Sequence, residues 1–87
     1  MGYFVYILRS QRDNSLYVGH TNDLARRMTQ HNNPHGKSYT AKRGPWLLVY
    51  HELHATRSEA AVRERFLKSV GGSIEKKLLA GAPEQTV

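Results

Sequence analysis

Three short apolar runs along the chain predict three strands. Residues 3–8 are rich in β-branched and aromatic side chains and are apolar on both alternating faces, so we expect a central strand that is covered on each side. Residues 11–15 are polar and suited to a tight turn, and residues 16–19 then predict the returning strand of a hairpin. Residues 46–50 form a near-continuous apolar run, which predicts a third strand that continues to residue 53.

Helical spacing and capping residues predict three helices. The first covers residues 22–31, with Thr21 or Asn22 as its cap and Asp23 at the positive end of its dipole. Thr56 and Glu59 have the spacing of a capping box and begin the second helix. We expect that helix to end at the glycines 71–72 through a left-handed glycine, and a short last helix to cover residues 73–79.

The element order β-β-α-β-α-α predicts an α+β fold, in which a small antiparallel sheet is covered by helices. The chain has 87 residues, of which 39% are hydrophobic, and this is enough for a single core. We therefore expect one domain over residues 1–80 and a frayed tail over residues 81–87. Because the sequence has no cysteine, disulfides and thiolate metal sites are excluded.

The net positive charge of the chain indicates the kind of partner that it binds. Thirteen Lys and Arg against seven Asp and Glu give a net charge of +6, which favours an anionic partner and above all nucleic acid; simple solubility is the alternative. The uncharged run of residues 2–8 is too short to span a bilayer. No basic segment precedes it and no small-residue cleavage site follows it, so we do not expect it to be a signal peptide. We expect a cytoplasmic protein without a membrane partner.

The first predicted helix carries cationic side chains on its apolar side. Leu24 and Met28 mark the face that packs on the sheet, and Arg27 and His31 project to the same side. A buried arginine is costly unless it is paired or lines a cleft. The alternative is that Arg27 reaches the rim and that His31 ends the helix as a favourable cation.

Two further patterns have both a structural and a functional interpretation. Tyr6 and Tyr17 lie on the two arms of the hairpin and can share a sheet face, where tyrosines are most often ordinary core or rim residues. Glu64 lies one turn before Lys68, and this spacing is typical of a surface ion pair. The functional interpretation of Glu64 is a lone carboxylate that binds Mg²⁺. The spacing of the five histidines disfavours a zinc site.

Residues 32–45 form a long irregular segment with two prolines, two glycines and several cations. Such a length is unusual in a compact domain and favours a binding role. Its basic and aromatic side chains are suited to contact a nucleic-acid backbone and to stack on a base. These candidates are Lys37, Tyr39, Lys42 and Arg43.

Four motifs together resemble the GIY-YIG nuclease family. The residues 5–7, Val-Tyr-Ile, and 17–19, Tyr-Val-Gly, are similar to its motif pair, although the first is degenerate. Residues 22–31 resemble the family helix with its catalytic arginine, and residues 58–64 resemble the helix whose glutamate binds metal. The nearest resemblance is to small stand-alone bacterial members, which are related to the N-terminal nuclease domain of UvrC.

The resemblance implies a three-stranded antiparallel sheet flanked by helices and a divalent-metal-dependent endonuclease that hydrolyses DNA, with a role in repair or recombination. It implies one Mg²⁺ or Mn²⁺ ion on Glu64, and RNA remains a second possible substrate. His20 stands where repair nucleases often have lysine, and Lys76 stands where many members have asparagine. The implied catalytic residues are Tyr6, Tyr17, Arg27, His31 and Glu64, and His20 and Lys68 join the nucleic-acid contacts.

The alternative on the same fold is a catalytically weak or inactive nucleic-acid-binding module, which Lys76 favours. A small protein-interaction adaptor is a third possibility. The sequence does not determine the oligomeric state.

Overall fold

The computed structural model describes residues 2–33 and 43–85, with side chains as far as residue 81. It confirms the predicted order β-β-α-β-α-α and the three-stranded antiparallel sheet flanked by helices. The strands are β1 (Tyr3–Ser10), β2 (Leu16–Thr21) and β3 (Trp46–His54), and the helices are α1 (Leu24–His31), α2 (Arg57–Lys68) and α3 (Ser73–Gln85). No helix in this part of the chain has the length and apolar character needed to cross a membrane.

Strand β1 lies in the middle of the sheet, in the order β2-β1-β3, and pairs antiparallel with both neighbours. Four consecutive residues of β1, Val5 to Leu8, are fully buried. Val5 and Ile7 pack with Ala60 and Leu67 of α2 on one face. The prediction of a central strand with two covered faces is confirmed, because the side chains alternate between two separate clusters.

The opposite face of the sheet packs against α1. Tyr6 and Leu8 form a cluster with Trp46, and Leu24 and Met28 of α1 pack against it. These two residues are therefore the sheet-facing side of the helix, as their spacing predicts. Helices α2 and α3 cover one face and α1 the other. Strand β2 is at one edge of the sheet, so its outer side pairs with no strand of the described residues.

Helix α1 begins two residues later than the sequence analysis predicted. Asp23 is its N-cap, with an extended backbone and a side chain that accepts from the backbone N–H of Arg26 at 3.0 Å. The predicted caps Thr21 and Asn22 are wrong. The Thr21 hydroxyl instead accepts from the Asp23 N–H at 3.1 Å and holds the residue that caps the helix.

Helix α2 begins as predicted and ends earlier. The Thr56 hydroxyl accepts from the Glu59 N–H at 3.2 Å, while the Glu59 carboxylate accepts from the N–H of Ala55 at 3.3 Å. The helix ends at Lys68, and Ser69 closes it. The predicted glycine stop is wrong, since none of the glycines in the described ranges has a positive φ. Gly72 serves close packing instead: a Cβ there would lie 1.9 Å from the Phe66 carbonyl oxygen.

Helix α3 runs from Ser73 to Gln85, so the predicted end at Leu79 is wrong. Ala80 is buried in the cluster that covers Val5 and Ile7, and this packing continues the helix beyond Leu79. The helix therefore includes residues 81–85, which the sequence analysis assigned to the tail. The division into a domain and a tail at residue 80 otherwise stays a prediction.

An ion-pair network ties β3 to both helices above it. The Arg63 guanidinium donates to Glu52 through Nε at 2.8 Å and to Glu75 of α3 through an Nη at 2.6 Å. Tyr50 and His54 lie 2.6 Å from the two oxygens of Glu52. Burial raises the pKa of the Glu52 carboxyl, but the hydrogen bonds from Tyr50, His54 and Arg63 outweigh it and hold the pKa below its usual value.

We expect Glu52→Gln to lower the free energy of unfolding by about 1–3 kcal/mol, because Arg63 loses its principal partner while it stays half-buried. Urea unfolding at pH 7 measures this loss. Arg65→Gln is the matched control on the exposed surface of α2 and should change stability by less than about 0.5 kcal/mol.

The difference between the parent chain and Glu52→Gln should depend on pH with a definite sign. The folded pKa of Glu52 lies below its unfolded value of 4.5. Its stabilisation is therefore complete above that value and is lost as pH falls through the folded pKa. The same urea curves at falling pH should converge below about pH 4.5, and a constant difference would contradict the assignment.

Candidate active site

A polar cleft of about 510 Å³ lies at the open edge of β2, between α1 and α2. Its walls combine aromatic hydroxyls, three arginines and one carboxylate. The lining residues are Tyr3, Tyr6, Tyr17, Gly19, His20, Thr21, Asn22, Arg26, Arg27, Arg57 and Glu64. Four of the five predicted catalytic residues and His20 are thus brought together, from four different elements of the fold.

The two tyrosines share one face of the sheet, as their places on the hairpin predict. Tyr6 pairs across the strands with Gly19, and Tyr17 pairs with Leu8, so the phenol rings lie diagonally with centroids 6.4 Å apart. His31 at the end of α1 lies behind both rings: its Nε2 is 2.8 Å from the Tyr6 hydroxyl, and its ring centroid is 5.1 Å from that of Tyr17. His31, the fifth predicted catalytic residue, therefore does not line the cleft but contacts the two tyrosines that do.

The protonation states of this group follow from burial. Burial, followed by the charge of a Tyr17 phenolate, raises the pKa of Tyr6 well above its usual value, while Arg27 opposes the shift. Burial and then the charge of Arg27 lower the pKa of His31. At neutral pH the Tyr6 phenol is therefore protonated and the His31 imidazole is neutral. This state does not fit the interpretation of His31 as a cation that stabilises the helix terminus.

Arg27 projects to the sheet side of α1 and lines the cleft, in agreement with its position beside Leu24. The positive charge of its guanidinium near Tyr6 helps to lower the pKa of that phenol. The Nε atom of Arg27 is buried and has no hydrogen-bond partner among the described residues. An unpaired buried donor is costly, and an anionic ligand in the cleft would supply the missing acceptor.

Glu64 faces the same cleft from α2, with an 18% exposed side chain. One carboxylate oxygen lies 2.5 Å from Nδ1 of His20, and the other accepts from Nζ of Lys68 at 2.5 Å. Burial raises the pKa of Glu64, but the bonds from Lys68 and His20 outweigh it and lower the pKa. The pair with Lys68 that the spacing predicts is therefore present, and it leaves an ionised carboxylate at the cleft.

The predicted nucleic-acid contacts divide into three groups. His20 lines the cleft, and Lys68 lies 5.6 Å from the centre of the Tyr17 ring. Arg43 lies at the other end of β1, where its carbonyl accepts from the Ser10 hydroxyl and its guanidinium is 3.6 Å from Asp13. The remaining three, Lys37, Tyr39 and Lys42, are outside the described residues.

The sequence analysis missed some of the cationic wall of the cleft. Arg57, in the first turn of α2, lies 5.5 Å over the ring of Tyr3, and both line the cleft. Arg26 is exposed, and it also lines the cleft. The signal for Arg57 was its place directly after the cap Thr56, but only the packing of α2 shows which surface that turn meets.

Comparison with known proteins assigns the chain to the family that the sequence motifs resemble. Residues 2–78 match the family model described as the GIY-YIG catalytic domain. A UPF0213 protein of Clostridium perfringens is 46% identical over 67 residues, which are 77% of this chain and 71% of that protein. A UPF0213 protein of Staphylococcus saprophyticus is 38% identical over 78 residues, which are 90% of this chain and 94% of that protein.

A solved structure is similar over the whole chain. The solution NMR structure of a UPF0213 protein from Bacillus halodurans aligns with a TM-score of 0.59 and 33% sequence identity. The alignment covers 100% of this chain and 95% of that one.

We expect Gly19→Ala to disturb the cleft from its floor. A Cβ at Gly19 would lie 2.5 Å from the Tyr6 hydroxyl oxygen and 2.8 Å from Cζ, and Tyr6 is buried and held by His31. The substitution should cost about 1–3 kcal/mol of stability and should move the aromatic NMR signals of Tyr6 and His31.

Gly71→Ala is the matched control, because its new Cβ would meet no atom closer than 3.9 Å. It should change the free energy of unfolding by less than about 0.5 kcal/mol. Equal losses of stability in the two variants would show that the close approach of Gly19 to Tyr6 has no special role.

Proposed function

This chain belongs to the GIY-YIG catalytic-domain family, and on that premise we propose that it is a divalent-metal-dependent endonuclease that hydrolyses phosphodiester bonds of DNA. The family is one of nucleases, so its substrate is a nucleic acid; DNA as the substrate, Mg²⁺ or Mn²⁺ as the ion and a role in repair are our proposals. The observation that carries them is the convergence of two phenols, an arginine and an ionised carboxylate on one cleft.

The side chains of the cleft fit a single hard cation. Among the described residues no group of three or more metal-binding side chains occurs, so Glu64 would be the sole carboxylate ligand. Mg²⁺ is often held by one or two carboxylates, with water and substrate phosphate at its other positions. When bound, such an ion polarises the phosphate and stabilises the leaving oxygen.

Arginines of the cleft supply the contacts to the phosphate. Arg27 presents a buried donor without a described partner, and its forked guanidinium matches the oxygens of a phosphodiester. Donors that are fixed in place before the reaction stabilise the charge that develops on phosphate oxygens. Arg26 and Arg57 at the wall add positive charge that attracts the backbone from solution.

Tyr6 and His31 provide a path for the proton of the attacking water. The raised pKa of Tyr6 means that the free phenolate is too rare to act as the base. The neutral His31 imidazole lies 2.8 Å from its hydroxyl, in reach to accept the phenol proton. Tyr6 would take one proton from water as it gives its own to Nε2 of His31. Tyr17, against both rings, orients the pair.

A nucleic-acid-binding module without turnover is the second candidate. It is favoured by the hydrogen bonds that already occupy both oxygens of Glu64, since His20 and Lys68 must give way before a cation binds there. This candidate predicts salt-dependent binding that neither metal nor Glu64→Gln changes.

We expect Glu64→Gln and Arg27→Gln each to reduce nicking of supercoiled plasmid in Mg²⁺ or Mn²⁺ by at least about 100-fold. The first variant loses the only carboxylate among the described residues of the cleft, and the second loses the forked donor. The initial rate of conversion to open circles measures the effect, and branched and single-stranded substrates are assayed in parallel.

Glu59→Gln is the control on the same helix, because an amide retains the acceptor that the cap requires. It should nick at the parental rate. Equal nicking by all four proteins would indicate a contaminating nuclease. A parent that cuts none of the substrates, yet binds them independently of metal, would support the binding module instead.

A further inference from the structure

A second basic cleft lies near the beginning of β2, the strand that also borders the first cleft. Its volume is about 470 Å³, and its walls come from the hairpin and from α3. The charged residues among its described lining are Arg9, Lys76 and Lys77, and no carboxylate is among them. A described lining that contains three cations and no carboxylate is a suitable surface for an anion.

The side chains of Lys76 and Lys77 have no acidic partner among the described residues. Lys76 is half-buried and Lys77 is exposed, and neither forms an ion pair with any residue of the described ranges. Arg63 is different, because it forms ion pairs with Glu52 and Glu75. Positive charge held without a partner at a half-buried position favours a ligand that brings negative charge.

The second cleft is aligned with the first along the open edge of β2. Leu16 lines the second cleft and His20 lines the first, four residues apart on one strand. At about 3.3 Å per residue, the two points are about 13 Å apart. Lys68 of α2 lies over Tyr17, between these positions. Among the described residues, cations therefore lie at both ends of the open edge of β2.

We propose that the cleft of Arg9, Lys76 and Lys77 is a second phosphate-binding site, which holds the backbone of the same nucleic acid whose phosphodiester lies at Glu64. This inference rests on the proposed function and names a contact outside the catalytic cleft. With one phosphate per about 3.4 Å along each strand of a duplex, a span of 13 Å corresponds to about four phosphates. The site would fix the position of the strand and would not select its sequence.

The alternative ligand is an acidic segment of a protein. A nucleic-acid backbone is favoured because cations line both clefts, about 13 Å apart along β2, and a phosphate chain carries negative charge at regular intervals over such a distance. An acidic peptide that extended into the first cleft would be repelled by the ionised carboxylate of Glu64.

The test is fluorescence anisotropy of a labelled 20-base-pair duplex with the full chain, in EDTA at 50 mM salt. Lys76→Glu should weaken binding about five- to tenfold and lower the slope of log Kd against log salt by about one unit. Arg65→Glu makes the same charge change at an exposed residue of α2 that lines neither cleft, and it should weaken binding less than twofold. Thermal unfolding checks that both variants fold. If Lys76→Glu does not fold, Lys77→Gln replaces it in the binding assay.

Equal losses in Lys76→Glu and Arg65→Glu would overturn the inference, because only net charge would then matter. So would parental affinity in Lys76→Glu, or displacement of the duplex by polyglutamate at equal charge concentration. The assay contains no metal and measures no cleavage, so failure of the proposed nuclease activity would appear separately, as absent nicking with binding that still depends on Lys76.

Discussion

The hydrogen bond between the Tyr6 hydroxyl and His31 is the interaction on which the rest of the cleft depends. Tyr6 is fully buried in the central strand, so its hydroxyl needs a partner inside the protein. His31, at the end of α1, supplies that partner at 2.8 Å, and this bond helps to hold α1 against the sheet. The same helix then holds Arg27 at the cleft beside Tyr6. A packing requirement of the core thus brings Tyr6 and Arg27 together at the cleft.

The electrostatics of the cleft follow from the position of these groups at the boundary of two layers. On the buried side, low solvation keeps Tyr6 protonated and His31 neutral. On the open side, His20 and Lys68 keep Glu64 ionised. A neutral phenol–imidazole pair and an ionised carboxylate therefore coexist in one cleft, and this combination suits the reaction that we propose, which moves a proton and binds a cation.

Much of the fold was predictable because local rules agree with the packing. The two apolar faces of residues 3–8 identify the central strand, and the spacing of Leu24 and Met28 identifies the inner side of α1. Helix ends were predicted less well: Asp23, Ser69 and Ala80 determine them through side-chain bonds and tertiary packing that composition does not show. In the cleft, Tyr6 and Glu64 were identified by motif, but Arg57 was not, since its role depends on how α2 docks.

The structure of the protein crystallised with Mn²⁺ tests the central claim most directly. The account predicts one anomalous peak bonded to a Glu64 oxygen, in the cleft that Tyr6, Tyr17 and Arg27 share, with His20 or Lys68 displaced from that carboxylate. Absence of a peak at Glu64 at millimolar Mn²⁺, or a peak elsewhere on the surface with the bonds of His20 and Lys68 intact, would contradict a single-metal nuclease centre.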